Sequence, residues 1–72
     1  MDIRIGIKDS AREIAFDSAQ TAKEVEDTVL ASLGEGHLAL DDAKGRRYIV
    51  PSASIAYVEI GSESTRKIGF VA

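Results

Sequence analysis

The stretch from Thr21 to Gly34 constrains this chain more than any other. Thr21-Ala22-Lys23-Glu24 matches a capping box, in which the Thr21 hydroxyl accepts from the third helical amide and Glu24 reaches back to the cap. Ala22, Val25, Val29, Leu30 and Leu33 follow at helical spacing and build one apolar stripe. Lys23, Glu24, Glu26 and Asp27 fall largely off it, and the acids near the first turn suit the helix dipole. Gly34 is expected at C′, with Gly36 repeating the stop signal. The spacing predicts a helix over 22–33. A helix with one apolar stripe must lay it on something, and the rest of the chain offers only strands.

Those strands are short and read by alternation. Ile3, Ile5 and Ile7 share one face of a first strand, with Gly6 opposite leaving room for close approach. Asp9-Ser10-Ala11 is polar turn chemistry with no residue that demands a positive φ. Ile14 and Phe16 then alternate inward in Glu13–Asp17, completing a β-hairpin. After the helix, His37–Leu40 and Arg46–Val50 flank Asp42-Ala43-Lys44-Gly45, the composition of a type I turn followed by a bulge. Pro51 lacks a donor and is expected to stop pairing, with Ser52–Ser54 as a single 3₁₀ turn. Ile55–Ile60 reads as a strand with Ala56, Val58 and Ile60 inward and Tyr57 and Glu59 outward. Arg66–Val71 closes the chain, with Ile68 and Phe70 alternating.

The expected fold is therefore α+β: a β-hairpin, one amphipathic helix, then three to four short strands, with the helix on one face of a small mixed sheet. That order is β-grasp-like, with a late strand parallel to the first in mid-sheet. A partly closed barrel of the last strands is the alternative. At 72 residues the chain is read as one domain, 1–72. A core of that size rarely supplies more than ~3–5 kcal/mol of net stability. There is no cysteine to staple it or to hold zinc, and the longest apolar run, Ile55–Val58, is too short for a membrane span.

Several pieces together resemble a known family: Ile5-Gly6-Ile7, Glu24-Val25, Gly45-Arg46-Arg47, Val50-Pro51, Ile55-Ala56-Tyr57-Val58-Glu59-Ile60-Gly61, and Arg66-Lys67-Ile68-Gly69-Phe70. The chain is similar to small cytoplasmic actinobacterial proteins of unknown function. The resemblance covers essentially the whole length, Ile55–Gly61 being its most specific part. It implies a bacterial, cytoplasmic, single-domain protein and brings no catalytic residues with it.

The residues themselves exclude several chemistries. No G-x-x-x-x-G-K-[ST] loop is present, and Gly34-Glu35-Gly36 follows a helix rather than opening one, the wrong order for a phosphate cradle. His37 is the only histidine. Asp41 and Asp42 supply too few ligands for a tight cation site and read as hairpin-turn residues. Ser52 and Ser54 lack a nucleophile elbow. Sulfur-carrier chemistry, which needs a Gly-Gly tail, is not expected of a sequence ending Gly69-Phe70-Val71-Ala72 unless further residues follow.

Charge is uneven, with four basic and eight acidic groups in 1–36 against five and four in 37–72. Arg46, Arg47, Tyr48, Arg66 and Lys67 would form one basic, aromatic patch if their strands were neighbours. An overall charge of −3 argues against a dedicated nucleic-acid binder. The reading is a non-enzymatic protein-interaction module or adaptor, with no catalytic, cofactor or metal residues and no membrane contact. Its candidate contact residues are Arg46, Arg47, Tyr48, Tyr57, Arg66 and Lys67, and its partner is a protein, a second copy of the chain included. The alternative is a weak RNA or nucleotide binder using the basic C-terminal half.

Overall fold

The computed structural model describes residues 1–61 and 66–69, the latter as backbone. Its elements are β1 (Asp2–Ile7), β2 (Glu13–Asp17), α1 (Ala22–Ser32), β3 (His37–Asp41), β4 (Arg47–Pro51), a 3₁₀ turn (Ser52–Ser54), β5 (Ile55–Ile60) and β6 (Arg66–Gly69). The fold is α+β. A four-stranded sheet ordered β2-β1-β5-β6 forms one layer, and α1 beside the separate β3–β4 hairpin forms the other.

The core lies between the layers. Ile3, Ile5, Ile55, Val58 and Ile60 come from the sheet, Val25 and Val29 from the helix, and Leu38, Leu40 and Val50 from the hairpin. Alternation placed most of these. The capping box is present in full: the Glu24 amide donates to Thr21 Oγ1 (3.2 Å) and the Thr21 amide to Glu24 Oε1 (3.0 Å). No helix among the described residues is long and apolar enough to cross a membrane.

The expected topology needs one correction. Every ladder is antiparallel, including β1–β5, so no late strand runs parallel to β1 as a β-grasp requires. The inserted hairpin is the cause. It returns the chain to where the helix ended, the Ser52 amide donating to the Gly36 carbonyl (3.0 Å). The 3₁₀ turn then meets the end of β1, where the Lys8 amide donates to the Ser54 carbonyl (2.8 Å), so β5 must run back along β1. The barrel alternative also fails, because β3–β4 joins no strand of the larger sheet.

Local departures have physical reasons. Asp9 does adopt a positive φ (58°), a conformation that aspartate tolerates better than most residues. Leu33 caps the helix, and the positive φ falls at Gly36 (84°) rather than Gly34. Ala22, Leu30 and Leu33 are exposed, because the covered face is a narrow strip through Val25, Val29 and Ser32. The register between β1 and β5 shifts at Gly6/Ile7, and this bulge turns Ile55 inward in place of Ala56.

Candidate functional site

The β3–β4 turn is built around Asp42. Its Oδ1 accepts from the amides of Lys44 (2.9 Å) and Arg46 (2.8 Å), and its Oδ2 from the Tyr48 hydroxyl (3.3 Å). The Gly45 amide closes the turn on the Asp42 carbonyl (3.2 Å) and Gly45 takes φ 91°, the expected type I turn and bulge. These donors, the Arg46 amide foremost, hold the Asp42 carboxyl below its ordinary range. Beside it, Arg47 donates to both oxygens of Asp41 (2.8 and 3.4 Å), which lowers the Asp41 pKa and raises that of Arg47.

Carboxyls with depressed folded-state values stabilise the fold above their unfolded pKa and lose that contribution as pH falls through the folded value. The hairpin is therefore expected to loosen below about pH 4, near the unperturbed aspartate pKa. Tyr48 fluorescence should report this acid limb, and an Asp42→Asn variant should shrink it. An unchanged limb in that variant would refute the assignment.

The turn docks on the end of β2. The Ala43 amide donates to the Asp17 carbonyl (2.7 Å), and the Phe16 and Tyr48 rings stack with centroids 4.6 Å apart and planes inclined by 14°. At this junction of β2 and the turn is an open cleft of about 330 Å³ lined by Ala15, Phe16, Asp17, the turn residues Asp42–Lys44, Arg46 and Tyr48.

The main chain bordering this cleft can be phased. The Ser18 amide donates to the Met1 carbonyl (2.8 Å), and bonded pairs recur at every second residue of an antiparallel ladder. Ile3–Phe16 and Ile5–Ile14 are then the bonded pairs, and Glu13, Ala15 and Asp17 turn their main-chain groups away from β1. The outward Asp17 carbonyl, already bonded to Ala43, agrees with this phase. On β4, the Gly36–Ser52 and Asp42–Arg46 bonds place Arg47, Ile49 and Pro51 outward. Pro51 thus pairs opposite His37 at a position where its missing donor costs no ladder bond. It also blunts the β4 edge, whereas the β2 edge carries no proline.

Of the residues singled out from sequence, Arg46 and Tyr48 meet in this cleft, whereas Arg47 does not line it and is paired to Asp41. Tyr57 lies elsewhere, on the sheet face away from the helix, where its hydroxyl donates to Glu13 Oε2. That bond, more than burial, raises the Tyr57 pKa. Arg66 and Lys67 belong to β6 at the far edge of the large sheet, opposite Ile60 and Glu59, and their side chains lie outside the described residues. The strands β4 and β6 are not neighbours, so the condition for a single basic patch is not met. Phe16, Lys44 and Asp42 join the site without having been singled out as contact residues, because Phe16 alternates like a core residue and the other two read as turn chemistry. Among the described residues no group of three or more His, Asp or Glu side chains converges as a metal site would.

Fold and site together define a small α+β domain in which the proline-free β2 edge lies beside a cleft lined by Phe16 and Tyr48. The chain belongs to the protein family of unknown function DUF3107, whose model matches residues 1–71. A comparison with curated proteins finds no match.

Proposed function

We propose that this protein is a non-enzymatic interaction module that takes an extended segment of a partner protein as an added strand along β2. The observation that carries the reading is the outward phase of Glu13 and Ala15 beside the Phe16–Tyr48 stack. In strand addition, main-chain bonds supply affinity and pockets for alternate side chains supply specificity. A cleft floored by two rings would receive one such side chain. The reading keeps the cytoplasmic, actinobacterial setting that the residue resemblance implies.

Ala15→Pro is the test. It removes an outward N–H and leaves the β1–β2 ladder bonds intact, so the melting temperature should fall little. Affinity capture from the native cytoplasm, with and without nuclease, is expected to yield a protein partner that the variant loses. Hydrogen exchange on the reconstituted complex should then slow at the Glu13 and Ala15 amides, which are expected to exchange faster than Ile14 and Phe16 in the free protein. Retention that nuclease abolishes would favour the RNA-binding alternative. A partner that leaves the Ala15 amide unprotected would refute strand addition.

A further inference from the structure

The cleft's charges say what kind of segment it takes. Asp42 spends its carboxylate on two amides and the Tyr48 hydroxyl. Asp17, though 68 % exposed, faces the N-terminal ammonium at 2.8 Å. Arg47 is matched to Asp41. That leaves Lys44 and Arg46, both exposed and lining the cleft, with no ion pair within 4.0 Å among the described residues. The acids of the site are satisfied internally; Arg46 adds a longer-range attraction to Asp42, but neither cation meets a carboxylate at ion-pair distance among the described residues. The net charge of −3 opposes an acidic partner at long range, so the complementarity is local to the turn end of β2.

Resting on the strand-addition reading above, we infer that the occupant is an acidic extended protein segment. Its carboxylates sit against Lys44 and Arg46, and an apolar side chain sits over the Phe16–Tyr48 stack. A five-residue strand spans roughly 17 Å, so a partner strand along β2 reaches the turn with its end residues, where the two cations stand. Basic segments would meet unmatched like charge at that end, which disfavours them.

Selection from a displayed library of short random peptides tests this. Wild-type protein should enrich peptides rich in Asp and Glu with an interposed apolar residue. Lys44→Glu/Arg46→Glu should bind the same peptides about tenfold more weakly, since two exposed ion pairs are lost and two repulsions gained. The wild-type preference should also weaken as salt screens the charges. Ala15→Pro should lose the peptides altogether. Peptides that require Ala15 but are neutral or basic would overturn this inference and leave strand addition standing. Acidic peptides indifferent to the charge reversal would overturn it likewise. Displacement by single-stranded RNA at equal charge would show a general polyanion surface and overturn it too. Failure to select any peptide, or selected peptides indifferent to Ala15→Pro, would overturn strand addition itself.

Discussion

Val29→Asp is expected to leave the chain unfolded at room temperature. Val29 is fully buried between the helix and the sheet, beside Val25. An unpaired carboxylate there costs several kcal/mol, against the ~3–5 kcal/mol that a core this small supplies. The informative control is the next residue. Leu30 belongs to the same apolar stripe in the sequence, yet it is 49 % exposed. Leu30→Asp should therefore melt within a few degrees of wild type, as surface substitutions commonly do. Thermal melts followed by circular dichroism would decide. Equal losses in the two variants would mean that the covered face of α1 is wider than Val25, Val29 and Ser32.

The contrast between Val29 and Leu30 also marks how far the sequence could be read. Alternation and capping are local, and they located the strands, the helix start and the Asp42 turn to within a residue or two. What a helix covers is tertiary: Leu30 and Leu33 are apolar at the right period, but the sheet and hairpin reach only a narrow strip. The direction of β5 was illegible for a similar reason, since it depends on where the hairpin delivers the chain and not on the residues of β5. Ile55 points inward only because a bulge shifts its register against β1, and Ala56 yields the place that strict alternation assigns it. The cleft depends on tertiary contact too. Arg46 and Tyr48 are candidate contact residues from the sequence, but Phe16, on which Tyr48 stacks, and Asp17, which binds the Ala43 amide, lie about thirty residues away and line the cleft with them only when the turn docks on β2. Grouping Arg46 with Arg66 assumed neighbouring strands, and the two belong to different sheets.

Gly6→Ala is expected to destabilise the protein by about 1–3 kcal/mol, the usual range for overpacking. Gly6 pairs directly opposite Tyr57, and a Cβ on it would overlap the Tyr57 ring, which lies across the glycine. No unusual backbone angle is involved. The ring itself excludes a side chain. To admit a methyl group the ring must swing off β1, and the Tyr57 hydroxyl must then leave Glu13. In a Tyr57→Ala background the space is already open, so the added methyl should cost little, and relief of the glycine's backbone entropy works in its favour. The two substitutions should thus be non-additive by about 1–2 kcal/mol, as expected for residues in contact. Urea titrations of the four proteins measure the coupling.

A second readout follows from the phenol. Its pKa is raised by the bond to Glu13, so its protonated form stabilises the fold at neutral pH and that contribution is lost as pH rises through the folded value. In Gly6→Ala the displaced phenol should titrate closer to an ordinary tyrosine, visible by ultraviolet absorbance. Additive stability changes, or an unmoved titration, would break the link between ring and glycine. Tyr57 would then be open for the partner contact that its outward position on β5 first suggested. A strong coupling instead makes Tyr57 a cover for a side-chain-free site on β1, and the β2 edge with Tyr48 remains the surface proposed above for a partner strand.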